Sequence, residues 1–409
     1  MAEPKVRFKR DDGSSYPAWN TTKMSTLTNE YKVRNKTKLP LEIYSVNNEV
    51  GFLPQSEQFE DAGYLNDTDT SIYMIVPPNH FAYNPARINI GSIGYQNVGH
   101  DVQVSSLYEV FRTTENIDDC FLWYWFHTPI FNKAVLSLQE GGVRLYFYYE
   151  KLKETSIFVP CLEEQQKIAD FLYSVDEVIT ASEEEVANLE TQKKAVMKKI
   201  FSQEVRFKRA DGSAFPEWAG SYRLADVSDF ITKGATPTTY GFDWVEKGIP
   251  FFRNDAIRDN TFVYGDFSYI SEEAHSALGR SEIKAGDLLI AITGEIGKVG
   301  MVPKEIEKGN INQHTARVRI ISEYIPYFVY QYLCSDSIQN VYKKIKTGLS
   351  MAQLSLEQIR NTEIPIVDIE EQSLIAEFLS DFDVAITAAK KELELWKELK
   401  KGLLQLMFV

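Results

Sequence analysis

Val6-Arg7-Phe8-Lys9-Arg10-Asp11-Asp12-Gly13-Ser14-Ser15-Tyr16-Pro17-Ala18-Trp19 is written a second time as Val205-Arg206-Phe207-Lys208-Arg209-Ala210-Asp211-Gly212-Ser213-Ala214-Phe215-Pro216-Glu217-Trp218. The offset is 199 residues in a chain of 409. Chance does not produce a match of that length and identity, so the chain is a tandem duplication. Working inward, Gly91-Ser92-Ile93-Gly94 aligns with Gly294-Glu295-Ile296-Gly297 at an offset of 203. Glu163-Glu164-Gln165 aligns with Glu370-Glu371-Gln372 at 207. The drift from 199 to 207 places eight inserted residues inside the second half.

Each half divides again. Residues 1–160 and 205–366 are rich in aromatics, Gly, Pro and Asn, with short apolar runs between turns. Ser71–Val76 before Pro77-Pro78 and Asp287–Ile292 before Thr293-Gly294 read as strands. A helix is expected around Phe121–Leu138 and again around Tyr327–Lys346.

Residues 161–204 and 367–409 lack proline and carry a heptad seam. In the first, Ile168, Leu172, Val175, Ile179, Ser182, Val186, Leu189, Lys193, Val196 and Ile200 fall at alternating steps of four and three. Ile375, Leu379, Phe382, Ile386, Ala389, Leu393, Trp396, Lys400, Leu403 and Met407 do the same in the second. The seams superpose at offset 207, lysines included. A seam lysine costs stability and fixes register. Two readings stand: amphipathic helices lying on separate cores, or long helices pairing antiparallel. The second is favoured, because the apolar strips are narrow and the flanks highly charged. The expected class is α+β: two mixed α/β globules separated by two long antiparallel helices in a coiled coil, with pseudo-twofold symmetry. At ~1.5 Å per residue such a helix runs roughly 50 Å, which suits a ligand repeating over tens of Å, such as DNA with its ~34 Å turn.

Composition narrows the function. Apolar residues make up 44%, enough for substantial cores. No apolar run approaches the ~20 residues that span a bilayer, and no secretory signal is visible. Cys120, Cys161 and Cys334 have no metal-ligand spacing and suit a reducing, cytoplasmic compartment. The net charge of −14 argues against nucleic acid only as a whole-chain figure. Residues 161–204 hold 10 acidic groups against 5 basic, and residues 366–409 hold 9 against 5. The remaining imbalance is 19 against 15 in residues 1–160 and 20 against 19 in residues 205–365. The acidity therefore belongs mainly to the helices, and the globules are near neutral.

No catalytic constellation emerges. The five histidines have no ligand or triad spacing. Gly294–Lys298 echoes the tail of a phosphate loop, but Val299 replaces the needed Ser or Thr, so it reads as a strand-end turn. Tyr83-Asn84-Pro85-Ala86 evokes an amino-methyltransferase motif without its second proline or aromatic, and reads as a turn. Cys161 aligns with Asp368, which points to a capping role. The polar loops are more telling. Ile231–Pro237 is a flexible basic turn, Arg253-Asn254-Asp255 sets three base-reading types in a row, and Asn312-Gln313-His314 precedes Arg317 and Arg319. Lys343–Ser350 closes a helix with lysines and a small polar turn. Arg and Lys suit guanine edges and phosphates, and Asn and Gln suit adenine.

These features together resemble the specificity subunit of type I restriction–modification systems. The strings that carry the resemblance are Thr232–Pro237, Gly286–Leu289, Thr293–Gly300, Lys346–Ser350 with Gln353-Leu354, and the Glu-Glu-Gln that opens each long helix. The likeness spans essentially the whole chain. The first half departs from it at Gln139–Arg144 and lacks a clear Lys-Gly-x-Thr-Pro loop. The resemblance implies that residues 1–160 and 205–366 are target-recognition domains, each reading half of a bipartite site on double-stranded DNA. It implies that 161–204 and 367–409 set the spacer and dock two methyltransferase subunits. Restriction–translocase subunits would join them. It implies no catalytic residues, cofactor, metal or membrane contact in this chain. S-adenosylmethionine, ATP and Mg would be bound by the partners. The alternative is a two-headed scaffold binding protein or glycan. A fused methyltransferase is disfavoured by the missing cofactor loop.

The candidate DNA-binding residues in the second domain are Lys233, Thr236, Arg253, Asn254, Lys298, Gln313, Lys346 and Ser350. In the first they are Arg34, Lys36, Arg87, Ser92, Tyr95, Gln96 and Arg144, the middle ones chosen because Gly91–Tyr95 aligns with Gly294–Lys298. The chain alone is expected to bind DNA weakly, with partner subunits completing a basic channel.

Overall fold

The computed structural model describes residues 3–47, 51–58, 69–141, 145–264, 267–346 and 352–409. Two compact units divide the chain: residues 1–183 with 391–409, and residues 184–390. Each contains one globule and a half of each long helix, Leu162–Phe201 and Ile369–Met407.

Both globules are built on the same four-stranded antiparallel sheet. In the first unit the strands are β1 (Thr28–Glu30), β2 (Phe81–Tyr83), β3 (Ile93–Tyr95) and β4 (Glu109–Thr113), in the order β1-β4-β2-β3. In the second they are β5 (Ser228–Lys233), β6 (Leu288–Ala291), β7 (Val299–Met301) and β8 (Thr315–Ile320), in the order β5-β8-β6-β7. Register makes the correspondence residue by residue. Gly94 faces Ala82, which faces Val110; Gly300 faces Leu289, which faces Arg317. Gly94 is therefore the counterpart of Gly300, and Tyr95 that of Met301. The alignment of Gly91–Gly94 with Gly294–Gly297 is corrected by this pairing: similar Gly-x-Ile-Gly strings sit at different places in the hairpin.

The expected late helix of each half is broken in two. Asp119–Phe126 gives way to Pro129–Leu138, because Pro129 starts a new helix and the Thr128 hydroxyl accepts from Phe131 N–H at 3.3 Å. Pro326–Cys334 and Asp336–Ile345 are separated at Ser335, whose backbone is extended. The expected strand at Ser71–Val76 is confined to Met74–Val76, after a short 3-10 turn.

The repeated opening motif docks each globule onto a helix start. Arg7 Nε and Nη2 donate to the two Glu164 carboxylate oxygens at 2.9 and 2.8 Å, and Trp19 Nε1 donates to the same group at 3.2 Å. Arg206 and Trp218 repeat this on Glu371, at 3.1, 2.7 and 2.9 Å. Glu164 and Glu371 are fully buried, so three donors on each carboxylate offset its desolvation. Gln165 and Gln372 accept from Asp118 N–H and Ile325 N–H at 2.7 and 3.0 Å, tying the break-point helices down. The Asp368 side chain accepts from Glu370 N–H at 2.9 Å, the capping role expected there.

The seam residues are the buried or half-buried ones along both long helices. In the first unit Lys400 pairs with Asp176 at 2.5 Å and Lys397 with Glu183 at 2.8 Å. In the second, Lys193 pairs with Asp383 at 2.7 Å and Lys390 with Glu190 at 2.6 Å. In each unit rising numbers on one helix meet falling numbers on the other, so the pairing is antiparallel. Both packing readings hold at different points. Ile168, Leu172, Leu404, Met407 and Phe408 join Trp19, Phe121 and Trp125 in the first core, and Met197, Ile200, Ile375 and Leu379 join the second. Among the described residues no helix is long and apolar enough to cross a membrane.

Candidate nucleic-acid interface

In the second unit a smaller sheet sets up one loop edge. The strand Ile249–Phe252 runs parallel to Gly309–Ile311, with Phe251 beside Asn310 and Phe252 beside Ile311. Parallel strands end on the same side, so Arg253-Asn254 and Asn312-Gln313-His314 leave the sheet together, and Asn312 N–H donates to the Phe252 carbonyl at 3.1 Å. The Lys233–Pro237 turn is pinned to that edge. Gly234 N–H donates to the Thr315 carbonyl and Ala235 N–H to the Ile311 carbonyl, both at 3.2 Å. A Cβ on Gly234 would sit 1.9 Å from the Ile311 oxygen, so only glycine fits. The turn expected to be flexible is therefore clamped. The Thr236 hydroxyl donates to Gln313 Oε1. Arg253 is exposed, donates to the Ser268 hydroxyl at 3.2 Å and stacks over Trp244 at 5.8 Å.

Gly294-Glu295-Ile296-Gly297 is the hairpin turn between β6 and β7, as expected, closed by Gly297 N–H to the Ala291 carbonyl at 2.8 Å. The Asn254 amide lies 3.1 Å from the position a Gly294 Cβ would take, so this turn meets the same edge. The structure thus gathers Lys233, Thr236, Gln313, Arg253 and Asn254. It does not bring Lys298 to them. Lys298 lines a hollow of about 860 Å³ against the long helices, with Lys193, Lys194, Asp383 and Cys334. Lys346 is exposed at the end of the helix Asp336–Ile345, and Ser350 lies outside the described residues.

Arg317 and Arg319 stay inside the fold. Arg319 makes a two-pronged bond to the buried Asp287 carboxylate, both arms 2.7 Å, which explains the Gly-Asp-Leu-Leu string. Arg317 is 1% exposed beneath the Phe230 ring at 4.2 Å, with Nε and Nη1 unpartnered. Burial pushes its guanidinium down to about 10.

In the first unit Arg34 and Arg87 share a hollow of about 540 Å³ with Lys32, Tyr108, Tyr146 and Tyr148. Lys36 is exposed beside it in sequence, its N–H bonded to the Arg34 carbonyl. Three expected readers fall elsewhere. Ser92 is buried and donates to the Val46 carbonyl at 3.2 Å. Gln96 is fully buried, donating to the Val76 and His100 carbonyls at 3.1 and 2.7 Å. Tyr95 donates to Asn79 and Asp119 at 3.0 and 2.8 Å, and burial with the Asp119 carboxylate raises its pKa. All three follow from the misplaced Gly-x-Ile-Gly match: they sit on β3 and just outside its two ends, not in the turn. The turn is instead Asn84–Gly91, where Asn84 Oδ1 accepts from Ala86 N–H at 3.0 Å. Arg144 lies outside the described residues.

Lys32, Tyr146 and Tyr148 were not among the expected residues. The alternation Leu145-Tyr146-Phe147-Tyr148, with Phe147 fully buried, is the sequence signal that turns both tyrosines outward. Their rings stack at 5.5 Å and 7°. Among the described residues no cluster of His, Cys, Asp and Glu could hold a metal ion.

A family model described as the type I restriction modification DNA specificity domain matches residues 25–191 and again 216–395. The MjaVIII specificity subunit of a type I restriction enzyme from Methanocaldococcus jannaschii is 25% identical over 314 residues, covering 74% of this chain and 72% of that protein. The EcoBI specificity subunit from Escherichia coli is 26% identical over 239 residues, covering 54% and 50%. Among solved structures, the S subunit of a type I restriction–modification system from M. genitalium superposes with a TM-score of 0.59 at 15% identity, covering 100% and 99%.

Proposed function

The chain belongs to the type I restriction modification DNA specificity family, and from that premise we propose that its two globules read the two halves of one bipartite DNA site. The observation that carries the reading is the twofold family match, with one copy in each half of the duplication. The clamped loop edge of the second unit supports it, since Lys, Arg, Asn and Gln side chains gather where rigid strands end. The paired helices set the gap between half-sites and dock two methyltransferase subunits, to which restriction–translocase subunits add. S-adenosylmethionine, ATP and Mg are bound by those partners. The relatives give no support to a glycan-binding scaffold.

Sequencing the methylated bases of cells with and without this gene tests the reading. One bipartite methylated motif is expected to vanish on deletion. Retention of every such motif in a strain with an active system overturns it.

A further inference from the structure

The hollow of the first unit corresponds, segment by segment, to the loop edge of the second. β1 pairs with β4 from Thr28 opposite Thr113, and β5 with β8 from Ser228 opposite Ile320. Counted across the bulge between Ser228 and Phe230, Lys32–Arg34 therefore stand where Lys233–Ala235 stand. Ser106–Tyr108, just before β4, stand where Gln313–Thr315 lead into β8. Asn84–Arg87 lie in the β2–β3 hairpin turn as Gly294–Gly297 lie in the β6–β7 turn. Backbone register alone thus places the first unit's hollow on the edge equivalent to the one that gathers the second unit's polar loops.

The chemistry of the hollow is specific. Arg34 and Arg87 are exposed, and neither forms an ion pair among the described residues. Lys32 is held by Glu30 at 2.5 Å, so it supplies field rather than a free donor. Glu109 lines the same hollow and is half-buried. Arginine forms a two-pronged bond to guanine O6 and N7, and a carboxylate accepts from cytosine N4. Donor and acceptor types thus match the two members of one base pair, and Tyr148 and Tyr146 form a wall.

We propose that this hollow is the base-reading pocket of the first recognition domain, with Arg34 and Arg87 as its readers, and that it is built for a G·C pair. The proposal rests on the DNA-specificity reading above and adds the base pair and the residues. Ser92, Tyr95 and Gln96 take no part in it.

The test uses the full chain assembled with its methyltransferase subunits, reading the methylated motif by sequencing. The native motif must hold a G·C pair in the half-site read by the first domain. Arg34→Gln and Arg87→Gln are each expected to relax discrimination at such a pair at least about tenfold, with the other half-site unchanged. That unchanged half is the internal proof of folding and assembly. Arg87→Lys keeps the charge but not the fork, and is expected to relax the same position. A first half-site without a G·C pair overturns the proposal. So does a motif left intact by the glutamine variants. If a glutamine variant loses both halves together, Arg87→Lys with an unchanged motif overturns it as well. A wild-type complex that methylates no bipartite motif brings down the DNA-specificity reading itself, and this proposal with it.

Discussion

The Lys193 ammonium donates to the Asp383 carboxylate at 2.7 Å, joining the two long helices within the second unit. Asp383 also accepts from Tyr327 O–H and from Gln331 Nε2, which come from the globule. The first unit repeats the arrangement, with Asp176 taking Lys400 at 2.5 Å and Tyr124 at 2.8 Å. The lysine that interrupts each heptad seam is therefore matched to an aspartate that also anchors a globule tyrosine. Removing the two partners has unequal effects. Asp383→Ala strands three donors around a half-buried site and is expected to cost about 2–3 kcal/mol. Lys193→Met leaves Asp383 two donors and restores an apolar seam, so it stays within about 1 kcal/mol of wild type. Denaturant unfolding of the two variants checks this. Equal losses would show that the ion pair, not the anchoring of the globule, carries the stability.

Gly234 offers a sharper handle on the second domain. A methyl group there collides with the Ile311 and Asn312 carbonyls, at 1.9 and 2.4 Å, and backbone cannot swing away as a side chain can. Gly234→Ala is expected to push the Lys233–Pro237 turn off its edge, at a cost of about 1–3 kcal/mol. Recognition of one half-site fails while the other survives. Methylated-base sequencing reads both halves at once, and an unaltered motif would place DNA reading elsewhere in this domain.

Burial pushes the Cys334 thiol up to about 12. At pH 8 its thiolate fraction is about three orders of magnitude below that of an ordinary thiol. Alkylation of Cys334 in the folded protein is expected to be slower by that factor, then to become ordinary in denaturant. Mass spectrometry of a timed iodoacetamide reaction checks it. Rapid native labelling would mean that the thiol ionises as an ordinary one in the hollow it shares with Lys298.

Much of the fold was legible because it rests on periodicities that survive in one sequence. The duplicated opening motif, the seams and the Glu-Glu-Gln strings each encode one repeated contact, such as Arg7 on Glu164 and Arg206 on Glu371. The candidate site was legible where glycine or consecutive polar residues marked a strand end, as at Lys233–Thr236 and Arg253-Asn254. It failed where register decides. A Gly-x-Ile-Gly string looks the same in a turn and on a strand, and only the pairing of Gly94 with Ala82 separates them. Ser92 and Gln96 are polar side chains satisfied inside the core, a state that composition cannot distinguish from a reader at the surface.

Arg317 follows the polar run Asn312-Gln313-His314 in sequence, yet its position is poorly suited to DNA contact. It is 1% exposed, and two of its donor nitrogens have no partner. Its neighbour Arg319 already takes both oxygens of Asp287. What it gains is the face of Phe230 at 4.2 Å, a contact that reaches about 2 kcal/mol when desolvated. Against that stands the cost of holding a guanidinium away from water, which the downward pKa shift to about 10 reflects. The two terms are close, and desolvation is the larger. Arg317→Met keeps most of the volume against Phe230 and removes the charge. It is expected to be neutral or stabilising, by up to about 2 kcal/mol, with the methylated motif unchanged. The sign follows from the pKa. The folded value lies below the ordinary one, so the charged form is penalised on folding at every pH under about 10, and stability gained on removing it should not vary between pH 6 and 9. Denaturant midpoints at those two pH values measure it. A loss of stability at both would show that the orphaned nitrogens are satisfied by ordered water, and a changed motif would assign Arg317 a part in DNA reading.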